Sequence, residues 1–219
     1  MRILVDSADL AAIHEALSSG IVAGVTTNPT LLRRAGVAAS RVPELARAAI
    51  AAGAGEVHLQ TGADDADAMI AEGRELVRID PERIRVKLVA TPAGYQAAAV
   101  LSAEGTGVTL TGVYTLQQAL AAQSAGARSI AFYLGRVRDA GIEPLQLVGR
   151  MQELLRAQAA DVEILAASVR EPDELAELAL LGVASATLAP AVLARLLQSD
   201  ATDAAAATFR EDARAIQAI

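Results

Sequence analysis

Short runs rich in β-branched and apolar residues alternate with longer Ala- and Leu-rich runs of helical period. The alternation repeats eight times with no break in composition. The strand candidates are 2–6, 21–26, 56–60, 83–89, 106–111, 129–134, 162–167 and 183–188. The helix candidates are 9–18, 43–52, 64–79, 92–104, 115–125, 144–159, 172–181 and 190–197, and a last helix is expected at about 202–217. Pro43, Pro92, Pro144 and Pro172 stand near first-turn positions, where a missing N–H does no harm. Gly20, Gly53, Gly105, Gly126 and Gly182 stand just past helix ends, where left-handed backbone is wanted. Successive β-α units call for a parallel sheet covered by helices. Eight of them point to an α/β chain closed as a (β/α)8 TIM barrel, with one additional C-terminal helix. The 219 residues sit at the short end of the roughly 200–250 usual for that fold. A single domain over 1–219 is expected. A doubly wound open sheet is the alternative, but it seldom uses eight successive units. The Gly-x-Gly pairs do not open a helix in the dinucleotide-binding pattern.

If the sheet is a barrel, strand parity sorts the residues. Alternate side chains face opposite sides, and the side under the helices must be apolar. In 83–89 the apolar set is Ile84, Val86 and Leu88, so Arg85, Lys87 and Val89 face the interior. By the same test Ile3 and Val5 face out and Asp6 in. Val57 and Leu59 face out and Gln60 in, while Val108 and Leu110 face out and Thr109 and Thr111 in. Ile130, Phe132 and Leu134 face out and Tyr133 in. Thr26 and Asn28 share a face, and the seventh strand ends at Ser168. The inward polar residues gather at the C-terminal ends of their strands, the end that carries the active site in this fold.

Lys87 then stands out for another reason. The chain has 18 arginines and one lysine. A bias that replaces Lys by Arg explains the rarity, but not why the survivor faces the barrel interior. A buried amine is desolvated, its pKa falls, and it becomes a nucleophile toward carbonyls. Asp6 beside it could hold an ammonium or assist proton transfer. It could also cap the first helix, although Ser7 or Asp9 is better placed for that. Tyr133 reads equally as core filler, and Gln60, Thr111 and Asn28 as a structural hydrogen-bond network. Arg136 and Arg170 follow the sixth and seventh strands. An Arg near a helix start binds anions, and phosphate sites near the late strands are common in this fold; a surface Arg is the plain alternative. His14 and His58 read as structural, and 64–82 as a solvated helix face.

Composition excludes several classes. There is no Cys, hence no disulfide frame, thiolate nucleophile or Cys-based metal site. The two histidines are far apart in sequence, so no His-based metal site is expected, with Asp or Glu ligands left open, and no metal is assigned. Net charge is -7 and aromatics are 2%, against the basic footprint and stacking platforms of nucleic-acid binders. No segment reaches the roughly 18 apolar residues of a membrane span. The N-terminus lacks the long apolar run of a signal peptide. A cytoplasmic protein is expected.

Several segments together resemble the short transaldolase family, especially its fructose-6-phosphate aldolase branch. They are Val5-Asp6-Ser7-Ala8-Asp9, Gly24-Val25-Thr26-Thr27-Asn28-Pro29-Thr30, Val86-Lys87, Leu110-Thr111-Gly112-Val113-Tyr114, Tyr133-Leu134-Gly135-Arg136 and Leu165-Ala166-Ala167-Ser168-Val169-Arg170. The resemblance spans nearly the whole chain. It implies a class I aldolase barrel without a cofactor, acting on sugar phosphates and small aldehydes and ketones. Lys87 matches the Schiff-base lysine. Asp6 and Asn28, with Thr26 alongside, match the residues that orient the donor, and Gln60 and Thr111 the pair that holds a catalytic water. Tyr133 matches the proton-transfer tyrosine, and Arg136, Ser168 and Arg170 the phosphate-binding positions. Transaldolases proper usually carry Glu and Phe where this chain has Gln60 and Tyr133, so aldolase is the leading expectation. Transaldolase is the alternative, and a non-catalytic phosphosugar-binding barrel is a third reading. The chain departs from the pattern at Leu88-Val89, at Gly135, at the shortened loop Asp139-Ala140-Gly141 and at Leu188-Ala189-Pro190. The resemblance also implies a ring-like homo-oligomer, with the 200–219 helix packing on a neighbouring subunit.

Overall fold

A computed structural model describes residues 1–217; the last two positions of the expected 200–219 segment lie outside the described residues. The strands are β1 (Arg2–Asp6), β2 (Val22–Thr26), β3 (Glu56–Gln60), β4 (Ile84–Val89), β5 (Val108–Val113), β6 (Ser129–Tyr133), β7 (Glu163–Ala167) and β8 (Ser185–Leu188). They pair in parallel, each with its sequence neighbours, and β1 pairs with β8, so the sheet closes as a barrel. The helices in chain order are α1 (Leu10–Ser18), α2 (Pro29–Arg34), α3 (Val42–Ala51), α4 (Ala66–Val77), α5 (Pro92–Ala103) and α6 (Leu116–Ser124). Then come α7 (Leu134–Asp139), α8 (Pro144–Ala157), α9 (Glu174–Leu180), α10 (Pro190–Leu196) and α11 (Asp200–Gln217). The chain is a (β/α)8 TIM barrel.

The helices start where the sequence provides caps. Asp9 accepts from the N–H groups of Ala11 and Ala12 at 2.8 and 3.1 Å, which frees Asp6 from the capping alternative. Thr91 caps α5 ahead of Pro92, and Thr115 and Gln118 form a capping box on α6. The five glycines expected past helix ends all take positive φ. Two short helices escape the periodicity. One is α2, directly after β2, and the other is α7, which begins at Leu134, so this residue opens a helix instead of ending a strand. Six residues are too few to display a repeat of 3.6.

The parity argument holds through the core. The outward residues Val5, Val57, Leu59, Ile84, Val86, Leu88, Val108, Leu110, Ile130 and Phe132 are fully buried against the helices. A second, small apolar cluster of Leu4, Ala131 and Leu165, packed on Tyr133, lies inside the barrel. Several other inward positions are polar and bonded to one another. His58 Nδ1 meets Thr109 Oγ1 at 3.0 Å, and Thr109 meets Ser129 Oγ at 2.8 Å. Burial lowers the His58 pKa, so the ring is neutral in the interior. The N-terminal end is closed by Arg2, paired with Glu163 at 2.7 Å and with Glu56 at 3.3 Å. The reactive end is the other one.

Candidate active site

Three strands end in polar side chains that face a common space: Asp6 on β1, Gln60 on β3 and Tyr133 on β6. With Asn28, Arg136 and Ser168 they line a cavity of about 600 Å3. Lys87 lies just below it, on β4 and paired in register with Gln60. It is 3% exposed, and its Nζ donates to the Thr27 carbonyl at 3.0 Å. Burial pushes the Lys87 amine below the ordinary lysine range, and the charge of Asp6 draws it partly back. Burial pushes the Asp6 carboxyl up, against the opposing pull of Lys87 and of the Thr26 hydroxyl. The two shifts bring the proton affinities of an acid and an amine toward each other.

The supporting contacts join strand to strand around the interior. Thr26 donates to Asp6 Oδ1 at 2.7 Å and its oxygen lies 2.7 Å from Thr187 Oγ1. Since its one proton goes to Asp6, Thr187 is the donor in the second bond. β2 and β8 are not neighbours in the sheet, so the threonine pair bridges the interior past β1, and its Thr26 member holds Asp6 by the hydrogen bond. Thr26 is buried and is not among the cavity-lining residues, which makes it a support for Asp6. Thr111 Oγ1 lies 2.8 Å from the Tyr133 hydroxyl. Burial raises the Tyr133 pKa, although the Thr111 hydrogen bond works against it. The phenol is therefore neutral and able to pass a proton.

Two expected ligands are already engaged. Asn28 Oδ1 caps α2, accepting from Thr30 N at 3.0 Å and Leu31 N at 3.1 Å. Its amide NH2 is left to face the cavity, so Asn28 can offer a substrate donors only. Arg170 is not among the cavity-lining residues; its guanidinium forms a two-pronged pair with Asp139 at 2.8 and 2.6 Å. Ser168 lines the cavity with φ of +57°, a left-handed conformation uncommon for serine,.

The cavity also has walls that strand parity did not identify. Thr30, Leu31 and Arg34 line it from α2, at the spacing of one helix face. Tyr114 lines it too, its ring 6.2 Å from that of Tyr133 and tilted by 39°. The β5–β6 register shifts between Thr111 and Val113, and Gly112 there has φ of +75°. This left-handed bulge turns the chain so that Tyr114 reaches the mouth. Tyr114 ends the family-like segment Leu110-Thr111-Gly112-Val113-Tyr114, which is the one signal for it in the sequence.

A closed parallel barrel with a buried amine, a neighbouring carboxyl and a polar cavity at the strand C-termini defines a barrel enzyme built around an internal lysine. The chain belongs to the transaldolase/fructose-6-phosphate aldolase family, whose profile, "Transaldolase/Fructose-6-phosphate aldolase", matches residues 3–218. Among its relatives, a "Probable transaldolase" from Thermus thermophilus is 39% identical, covering 97% of this chain and 97% of that one. Proteins of the same description from Rhodospirillum centenum and Geobacillus kaustophilus are each 37% identical, covering 97% of this chain and 90% and 98% of theirs. A solved structure of a mandelate oxidase mutant superposes with a TM-score of 0.63 at 17% identity, over 87% of this chain and 66% of that one. A designed cube-shaped cage superposes with a TM-score of 0.61 at 14% identity, over 100% of this chain and 78% of that one. The last two matches speak for the fold alone.

Proposed function

We propose that the enzyme is a Schiff-base transaldolase that moves a dihydroxyacetone unit between sugar phosphates. The observation that carries this is the position of Lys87, the chain's one lysine, buried beneath a polar cavity beside Asp6. The sequence put aldolase first, on Gln60 and Tyr133. The names of the curated relatives favour transfer, and transfer is therefore the leading reading.

In this mechanism the neutral Lys87 amine adds to the C2 carbonyl of fructose 6-phosphate, water leaves and an iminium forms. The C4 hydroxyl gives its proton to a water held by Gln60 and Thr111 and linked to Tyr133. The C3–C4 bond breaks, its electron pair passes into the iminium, and glyceraldehyde 3-phosphate departs. The remaining enamine attacks an acceptor aldehyde, and hydrolysis returns the amine. Asp6 and the Asn28 amide orient the donor hydroxyls, with Thr26 supporting Asp6. Arg136 and Ser168 take the phosphate, with Arg170 adjoining. The aldolase reading is the second one. It is favoured by the Tyr133 hydroxyl, 2.8 Å from Thr111, which could protonate the enamine and release dihydroxyacetone.

The same reading makes the enzyme cytoplasmic, cofactor-free and homo-oligomeric. It seats α11 on a neighbouring subunit, in keeping with a helix that has no buried residue of its own. Among the described residues no helix is long and apolar enough to cross a membrane.

Borohydride trapping with fructose 6-phosphate tests the chemistry, because Lys87 and the N-terminal amine are the amines available. A mass increment on Lys87 is expected. Erythrose 4-phosphate then divides the two reactions: a seven-carbon ketose phosphate marks transfer, and free dihydroxyacetone marks aldol cleavage. Absence of any adduct with any ketose donor would leave the non-catalytic phosphosugar-binding barrel.

A further inference from the structure

We propose that Asp139 tunes the enzyme's grip on phosphorylated substrates by competing with the phosphate for Arg170; this rests on the phosphosugar reading above. Two guanidinium groups follow the late strands, and the structure engages them differently. Arg136 lines the cavity and forms no ion pair among the described residues. Arg170 gives both of its terminal nitrogens to Asp139, at 2.8 and 2.6 Å.

The side chain of Arg170 nevertheless runs along the phosphate wall. A Cβ on Gly135 would lie 2.6 Å from Ser168 Oγ and 2.8 Å from Arg170 Nε. The absence of a side chain at Gly135 is therefore what lets Arg170 pass beside Ser168, which lines the cavity, on its way to Asp139. The backbone on either side is held in place. Arg170 N and Glu171 N both donate to Glu174, at 3.1 and 3.2 Å, and Glu174 also pairs with Arg138. The turn carrying Arg138 and Asp139 and the loop carrying Arg170 are thus tied by two ion pairs, of which the Glu174 side is the more buried. The fixed pair holds the frame, and the exposed pair is the one that can open.

A phosphate seated at Arg136 and Ser168 lies next to this exposed pair. It brings more charge and one more oxygen than a carboxylate, and it can take the same two-pronged geometry. A phosphate that takes both terminal nitrogens of Arg170 displaces Asp139 from them. Exposed ion pairs of this kind correspond to a coupling of up to about fivefold. Asp139 thereby holds back phosphorylated substrates and leaves unphosphorylated donors untouched.

The test is Asp139→Asn, read by borohydride trapping of Lys87 across a concentration series of fructose 6-phosphate and, separately, of dihydroxyacetone. The half-saturating concentration of fructose 6-phosphate relative to that of dihydroxyacetone is expected to fall about two- to fivefold. Glu171→Gln removes a nearby carboxylate whose partner is Arg195 rather than the Arg170 side chain, and it should leave the ratio within error of the parent. On an Arg170→Ala background, Asp139→Asn should lose most of its effect, the remainder being the Asp139 charge felt at Arg136. An unchanged ratio, a raised one, or an equal response to Glu171→Gln would each overturn the competition. A raised ratio would mean that Asp139 instead holds Arg170 in its productive place. If neither fructose 6-phosphate nor dihydroxyacetone yields an adduct, the Schiff-base reading has failed separately. Calorimetry with inorganic phosphate then still decides the competition, Asp139→Asn being expected to tighten binding and equal affinity refuting it.

Discussion

Burial and charge pull the Lys87 amine in opposite directions, and the balance can be measured. Desolvation disfavours the ammonium and lowers its pKa, while the Asp6 carboxylate favours it. Iminium formation needs the neutral amine. The trapping rate is therefore expected to rise with pH through a midpoint below the ordinary lysine value of 10.5. Asp6→Asn removes the one group that raises this pKa, so the midpoint should move lower still, read from the same pH series. A midpoint at or above the ordinary value would mean that the Asp6 charge outweighs burial. In the proposed mechanism Tyr133 transfers protons and takes no part in assembling the iminium. Tyr133→Phe is expected to leave trapping in place and to cut turnover by about 10² or more. Equal losses in trapping and turnover would instead point to a packing role.

At the scale of elements, α2 ties stability to the site. Its cap is Asn28, a residue expected to face the substrate, and Pro29 at the first position pre-sets the turn,. One side chain thus starts the helix with its oxygen and addresses the cavity with its nitrogen. Asn28→Ala should cost about 1 kcal/mol of stability, the usual value of a cap, seen as a lowered urea midpoint. It should also raise the half-saturating donor concentration. Asn28→Asp keeps the cap and removes the amide donors, so stability should recover and donor binding should not. If both properties recover, the amide has no part in binding.

At the scale of the molecule, α11 is the element least explained by its own chain. Phe209 and Ile216 are each 70% exposed. Together with Ala205 and Ala213 they recur at helical spacing along one face,. An apolar stripe left uncovered on an 18-residue helix matches a surface meant for another subunit. Phe209→Ser is expected to shift the protein to a smaller assembly by light scattering, with the barrel's circular dichroism unchanged. An unaltered mass would separate the oligomer from this helix.

The sequence by itself determined the barrel, its inner and outer faces, the depth of Lys87 and the inward polar residues Asp6, Gln60, Thr109, Thr111 and Tyr133, whereas the inward placing of His58, Ser129 and Thr187 came with the structure. The reason is that a two-residue period under a helical coat leaves the apolar residues one side to occupy. The alternation in Ile84-Arg85-Val86-Lys87-Leu88 is legible without any partner. The tertiary structure decided what each inward or loop residue does with its hydrogen bonds. It spent the Asn28 oxygen on a cap, bonded Thr26 to Asp6, turned Arg170 to Asp139 and aimed Tyr114 into the mouth through the Gly112 bulge. Those outcomes depend on meetings between loops far apart in the chain, such as Asp139 with Arg170. Loop backbones carry no periodicity from which such meetings could be read, so they exist only once the closed sheet brings the strand ends to one rim.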